Sequence, residues 1–335
     1  MRENCTYGSM RGRAYPITRG VPLYSTPSLE DDSMFRGYHD RNGNIIMDKE
    51  YLDHPVFVSL AESADFYRDL SDNVMSFATM WVKNLPIINY DSYFFGAVAN
   101  SIDSIKAVLT LGHVSDAKAL LRSLFDEMVV NLYFTARLRK KSDECNRLVT
   151  NDNDFVQDLK LEELYDANVS DWLADNKTKS LKAALRYDEM KKLLCQEARL
   201  IGMVEYLESD ECKKMREWLN DAVHVNYYKS ILLNDGLLCI DGARKSELDE
   251  MSRAFDKIIM FHVTCAFCLS PFYMMSSDYM DYKECGAEPP EGAENYVAPF
   301  IQTYLDKTVY KSFPGWAKHL IAVSEPMQLT KLIEH

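Results

Sequence analysis

The chain has 335 residues, of which 47% are hydrophobic and 27% charged, a composition that excludes disordered and fibrous classes of protein. Its 51 acidic residues exceed its 38 lysines and arginines, and the net charge of -13 excludes a broad electrostatic surface for nucleic acid. Any contact with RNA is therefore expected to be local.

The first 54 residues predict an extended arm, because glycines and prolines recur there without a helical period. Near its start, Arg11, Arg13 and Arg19 stand in a stretch that contains one acid, Glu3. These arginines are candidate RNA-binding residues. The alternative interpretation is a solvated tail or one that docks onto a partner protein.

Residues 55–335 predict a single helical body, because apolar residues recur there at three- and four-residue spacing. Residues 143–176 are polar and rich in acids, which indicates a peripheral lobe of this body. The expected fold is mainly α: a helical bundle with an extended N-terminal arm and one or two small β-hairpins. Helices are predicted over 55–86, 93–111, 115–141, 178–201, 209–223, 246–275, 296–309 and 316–323.

Two segments predict the hairpins. Asn42-Gly43 lies between short apolar runs, and Asn-Gly favours the positive φ angles of a tight hairpin turn. Asn234-Asp235-Gly236 likewise separates the apolar runs 230–233 and 237–240.

Residues 258–275 are almost wholly apolar and approach the length that spans a bilayer. His262, Ser270 and Pro271 interrupt the run and no strongly basic flank follows, so we expect a buried core helix and no contact with a membrane. The opening residues lack the pattern of a secretory signal. A cytoplasmic protein with reduced cysteines is therefore expected.

The spacing of His262, Cys265 and Cys268 is that of a zinc site, for which Cys285 is the candidate fourth ligand. On one helix these three residues stand at i, i+3 and i+6, so they diverge around the helix and do not converge on one ion. The chain also lacks the glycine-rich phosphate-binding and dinucleotide motifs. We therefore predict no metal and no cofactor.

A polar ridge is predicted on the helix over 209–223. Arg216, Asn220 and His224 stand at i, i+4 and i+8 and share one face. Arginine binds phosphate as a fork, histidine exchanges a proton near neutral pH, and asparagine orients either, which are the parts that RNA cleavage without a metal uses. The alternative is that His224 only stabilises the end of its helix.

A second polar group lies in the helix over 115–141, where Arg122 and Asp126 form an i,i+4 pair. Such a pair is usually a surface contact. It gains a functional meaning only if this helix packs beside the one that carries His224.

The segments 119–127 (Ala-Leu-Leu-Arg-Ser-Leu-Phe-Asp-Glu) and 219–224 (Leu-Asn-Asp-Ala-Val-His) together resemble large bacterial helical proteins related to abortive-infection proteins. Those proteins are similar to the HEPN superfamily of helical bundles, whose active members are toxin or defence ribonucleases that act as dimers. The resemblance implies an RNA-directed effector that acts as a homo-oligomer.

The HEPN motif is an arginine, a polar residue, three variable residues and a histidine. Carried over, Asn220 matches the polar position and His224 the histidine, but Leu219 stands at the position of the arginine. Either Arg216 or Arg122 replaces that arginine, or the chain keeps the fold without the nuclease.

Two functions from different classes follow. The first is a HEPN-like effector in antiviral defence, a metal-independent endoribonuclease or RNA-binding toxin, with Arg122, Arg216, Asn220 and His224 as its site. The second is a non-catalytic helical scaffold that docks a partner protein through its N-terminal arm.

Overall fold

The computed structural model describes residues 49–75, 79–82, 85–88, 90–151, 166–234, 241–325 and 327–329. Helices make up most of these residues, so the predicted mainly α fold class is confirmed. The bulk of the predicted arm lies outside the described residues, and so does the hairpin predicted at Asn42-Gly43.

The first part of the chain forms one short and three long helices with a two-stranded ribbon between the second and third. Their bounds are α1 (Lys49–Leu52), α2 (Pro55–Met75), β1 (Thr79–Val82), β2 (Leu85–Ile88), α3 (Tyr90–Thr110) and α4 (Val114–Asn151).

The second part consists of one long helix among shorter ones. Their bounds are α5 (Ala167–Leu173), α6 (Lys179–Ala184), α7 (Tyr187–Leu194), α8 (Glu205–Glu208), α9 (Asp210–Val223), α10 (Tyr228–Leu232), α11 (Asp241–Leu269), α12 (Asp278–Glu284), α13 (Pro299–Lys307), α14 (Val309–Ser312) and α15 (Pro314–Val323). Short 3₁₀ helices lie at Ala198–Leu200, Pro271–Met274 and Ala293–Asn295.

A ribbon forms where a helix was predicted, and the part of the second predicted hairpin that the structure describes is helical. The helix predicted over 55–86 ends at Met75, and β1 then pairs with β2 in antiparallel register, Thr79 with Ile88 and Val82 with Leu85. These strands are rich in β-branched and aromatic residues, which favour extended backbone over helix. At the second predicted hairpin, its first strand is instead part of α10.

Other boundaries also differ from the predictions. The 178–201 segment is two helices, α6 and α7, because the chain turns between them, and α11 begins at Asp241, five residues before the predicted Ser246. Residues 49–52 at the end of the predicted arm are helical, and Tyr51 is buried with its hydroxyl donating to the carbonyl of Leu109 at 2.8 Å.

Helix α4 is the central element, and it packs against α3, α7, α9 and α11. Its buried side carries Leu121, Leu124, Met128 and Leu132, whereas Leu120 is 36% exposed. Because α7 and α9 both lie against α4, side chains far apart in the sequence meet along its length.

The N-terminus of α4 is capped by a residue that is distant in the sequence. Ser115 and Asp116 donate their backbone N–H groups to Oδ1 of Asn234, at 2.9 and 3.2 Å. A side-chain oxygen in this position satisfies donors that the helix leaves unpaired. Asn234 thereby fixes the segment after α10 against the start of α4.

The predicted core helix at 258–275 is buried. Every residue from Ile258 to Leu269 is at most 7% exposed, and the helix gives way to the 3₁₀ turn Pro271–Met274 where proline interrupts the backbone. None of the helices in the described part of the chain has the length and apolar character needed to cross a membrane.

Candidate functional site

Arg122 of α4 reaches the predicted ridge on α9. Its Nε donates to Oδ1 of Asn220 at 2.9 Å, and its guanidinium also forms an ion pair with Asp126, one turn further along α4. The Arg122 side chain is 13% exposed. The arginine is therefore held in one orientation at the junction of the two helices.

Arg216, one turn before Asn220, lies in a different environment. Its guanidinium carbon stands 3.4 Å from the ring centre of Tyr187, the first residue of α7. Its Nε is buried and makes no hydrogen bond with the described residues. Stacking on an aromatic face stabilises a guanidinium, so the main contact of the Arg216 guanidinium is with the Tyr187 ring.

The charges of both arginines affect the pKa of the Tyr187 phenol. Burial raises the pKa of Tyr187 above its ordinary value, and the positive charges of Arg216 and Arg122 both oppose that rise. The ring of Tyr187 also lies 6.2 Å from that of Phe125, between centres, on α4. Both guanidinium groups therefore belong to one cluster where α4, α7 and α9 meet.

His224 directly follows the last residue of α9. Its backbone N–H donates to the carbonyl of Asn220 at 3.0 Å, one helical turn back, and its side chain is exposed. Among the described residues, no hydrogen bond or ion pair joins its imidazole to Arg122 or Arg216. On the polar ridge, Asn220 therefore bonds to Arg122 of the neighbouring helix, and His224 is accessible one turn beyond Asn220.

Leu219, the residue directly before Asn220, is fully buried. A residue at this position points into the core between α9 and α4, so a charged side chain there would be desolvated. The cation beside Asn220 instead comes from Arg122 on the neighbouring helix.

Beside the ridge lies a charged cluster that the sequence analysis missed. Lys118 donates to Oε2 of Glu247 at 3.2 Å, Lys229 donates to Oε1 at 2.6 Å, and Lys118 also lies 4.0 Å from the ring centre of Trp218. Burial lowers the pKa of Lys118. Burial alone would raise the pKa of Glu247, but the two lysines hold it below its usual value.

This cluster had no signature in the sequence, because Lys118 and Glu247 are 129 residues apart. The only local cue was an apolar residue pattern around a lysine, which is typical of many helices. The cluster places two lysines, Lys118 and Lys229, on the side of α4 that faces α9 and α10.

The remaining predicted positions divide into two groups. Arg11, Arg13 and Arg19 lie outside the described residues, so their role in binding RNA stays a prediction. His262 is fully buried and bonds to Tyr67 and Asn131. Within the described ranges, no group of three or more histidine, cysteine, aspartate or glutamate side chains is placed to hold a metal ion.

No family model, curated protein or solved structure matches this chain. The functional evidence is therefore the geometry of the polar ridge and the chemistry of its residues.

Proposed function

We propose that the chain is a HEPN-like helical effector that cleaves single RNA strands without a metal ion, in the cytoplasm and as a homo-oligomer, as part of antiviral defence. The observation that supports the proposal is the hydrogen bond from Arg122 to Asn220. It supplies a fixed guanidinium to the ridge that ends at the exposed His224, in place of the arginine that Leu219 replaces.

In the proposed reaction the ribose 2′-hydroxyl attacks the neighbouring phosphorus. The imidazole of His224 takes the 2′-hydroxyl proton, the bond from phosphorus to the 5′-oxygen breaks, and the leaving 5′-oxygen takes a proton from water. The products are a 2′,3′-cyclic phosphate and a 5′-hydroxyl. A histidine suits this role because its ordinary pKa lies near neutral pH.

Arg122 has the second role. A guanidinium that is already oriented stabilises the negative charge that develops on phosphorus without reorganising during the reaction. Asn220 occupies the Nε–H and Asp126 pairs with Nη1, so a phosphate binds at Nη2 or displaces Asp126 from Nη1. Asp126 competes with the phosphate, and Asp126→Asn is therefore expected to tighten RNA binding.

The test is cleavage of a fluorescently labelled single-stranded RNA by the purified full chain in the presence of EDTA. We expect His224→Ala to abolish cleavage and Arg122→Met to slow it by about 100-fold, the usual cost of losing one donor to a developing charge. Arg253→Met is the matched control, since Arg253 is 71% exposed on α11 and pairs with Glu250. Its cleavage rate should equal that of the parent chain.

The alternative, a non-catalytic scaffold that docks a partner protein through the N-terminal arm, is favoured by one observation. Leu219 is buried where the motif arginine is expected, which is compatible with a fold kept without its nuclease. Under this alternative the full chain cleaves no RNA, and expression of the parent chain in bacteria is no more toxic than expression of His224→Ala. Cleavage that persists in His224→Ala would also contradict the proposal.

A further inference from the structure

Residues 223–231, from the last residue of α9 into α10, have an unusual surface and are here called the tyrosine turn. It exposes more large apolar side chains than any other stretch of its length among the described residues: Val223, Val225, Tyr227, Tyr228 and Ile231. Tyr227 is 62% exposed and Tyr228 is 70% exposed. His224 lies within the same stretch, so the two tyrosines follow the proposed catalytic histidine by three and four residues.

The tyrosine turn is held in place by Asp221. The carbonyl of Asp221 accepts hydrogen bonds from the backbone N–H of Asn226 at 3.1 Å and from the Ser230 hydroxyl at 3.3 Å, and its carboxylate accepts from the Asn226 side chain at 3.1 Å. Val225 adopts a φ of 49°, a left-handed conformation that is rare for a β-branched residue. Such a conformation persists only where surrounding contacts impose it, so the two rings are presented on a defined backbone.

The charge of the turn differs from that of the whole chain. Residues 222–233 contain no aspartate or glutamate, although the chain has a net charge of -13. Within the same stretch Lys229 is 59% exposed, and His224 is also accessible. The turn therefore combines exposed aromatic rings with the accessible His224 and with one exposed lysine, whose ammonium group pairs with Glu247.

Unpaired nucleic acid bases are the occupants that this combination fits best. Bases in a single strand can stack on exposed aromatic rings, and nearby cations follow the phosphates, whereas the bases of a duplex are already stacked on one another. A second protein surface fits less well, because a stable interface takes about 20–30 residues a side. The exposed apolar side chains here come from nine consecutive positions, 223–231.

We propose that Tyr227 and Tyr228 form a stacking platform for the unpaired bases of single-stranded RNA and position the strand beside His224. This inference rests on the proposed function, because it names the residues that would position the single strand at the same site. The tyrosines are positioning residues in this scheme, and His224 remains the proton carrier.

The test measures the fluorescence anisotropy of a labelled 12-nucleotide single strand, and of a 12-base-pair duplex that contains it, on the full chain carrying His224→Ala so that no RNA is cut. Removal of both rings by Tyr227→Ala and Tyr228→Ala is expected to weaken single-strand binding at least about fivefold for each ring and to leave duplex binding unchanged. The double Phe variant keeps both rings and should bind as the parent does.

Tyr93→Ala is the matched control, because Tyr93 is 72% exposed on α3, away from the tyrosine turn. It should bind the single strand as tightly as the parent. Equal melting temperatures for the Ala and Phe variants would show that a loss of binding does not come from unfolding.

Three results would overturn the inference, and they separate it from the proposed function. If the chain cleaves RNA but the double Ala variant binds the single strand as tightly as the parent, the stacking platform is wrong and the nuclease stands. If the double Ala variant turns a dimer into a monomer in light scattering while RNA binding is unchanged, the turn is a contact between copies. If the parent neither binds nor cleaves RNA, both proposals fail together.

Discussion

The chain contains two pairs of histidine and asparagine in opposite environments. In the core, the Tyr67 hydroxyl donates to Nδ1 of His262 at 2.7 Å, and Nε2 of His262 lies 3.0 Å from Oδ1 of Asn131, to which it donates. Asn131 in turn donates to the Tyr90 hydroxyl at 3.4 Å. Burial lowers the pKa of His262 to about 3, so this ring is neutral and fully bonded at physiological pH.

At the surface, Asn220 accepts a hydrogen bond from Arg122, and His224 is exposed one turn further on. The two pairs have the same residue types, but only the surface histidine is accessible to a substrate. Burial and hydrogen-bond partners therefore decide the role of each pair: the core pair stabilises the fold, and the surface pair is available for chemistry.

The largest effect is expected from His262→Ala. The substitution leaves a cavity and removes the partners of the buried Tyr67 hydroxyl and the Asn131 amide, which together should lower the free energy of unfolding by about 3–5 kcal/mol. Urea denaturation followed by circular dichroism measures it. Tyr67→Phe removes one of the same bonds without a cavity and should cost about 1–2 kcal/mol; equal losses in the two variants would mean that the cavity contributes nothing.

The pH dependence of stability sharpens the same contrast. Because the folded-state pKa of His262 is about 3 and the unfolded value is about 6.5, the stability that depends on a neutral His262 is complete above pH 6.5 and is lost as the pH falls toward 3. The difference in unfolding free energy between the parent and His262→Ala should therefore shrink by up to about 1.4 kcal/mol per pH unit between pH 6 and pH 5. A difference that is constant over this range would show that the buried ring already carries a proton.

Much of this core was predictable because it follows from local pattern. The apolar run 258–275 indicated a buried helix, and α3 ends near the predicted residue 111, just before Gly112 with its φ of 80°. The predicted helix over 209–223 forms as α9, and Ser209 caps it through its hydroxyl, which accepts the N–H of Cys212 at 3.1 Å.

The other features depend on contacts that no local pattern records. Arg122 meets Asn220 across 98 residues, and Asn234 caps α4 across 118. At β1, apolar residues at helical spacing suggested a longer α2, while pairing with β2 stabilised an extended strand instead. The sequence could therefore propose Arg122 as a partner of the ridge, but only the packing of α4 against α9 brings the two together.

Asp91, also beside the core pair, should respond to pH in the opposite direction. Burial raises its pKa to about 6, although a hydrogen bond from Tyr273 opposes the rise, and its Oδ1 has no partner among the described residues. A raised folded-state pKa means that the stability contributed by the protonated group is complete below about pH 3.8 and is lost as the pH rises through 6. Asp91→Asn should therefore be more stable than the parent at pH 8, with the advantage vanishing near pH 4; an advantage that is the same at both pH values would contradict the shift.

The smallest effects are expected at the two ends of α9, where they separate a structural cap from a chemical group. Ser209 makes a cap hydrogen bond at the N-terminal end, and Ser209→Ala should lower the free energy of unfolding by about 1 kcal/mol. His224 ends the same helix, but its side chain is exposed, so His224→Ala should change that free energy by less than about 0.5 kcal/mol. Urea titrations of both variants against the parent measure the two values.

A loss of about 1 kcal/mol or more in His224→Ala, equal to that in Ser209→Ala, would make His224 a helix cap and remove the contrast between the core histidine and the surface one. If the loss is negligible while RNA cleavage disappears, the histidine serves the reaction and not the fold.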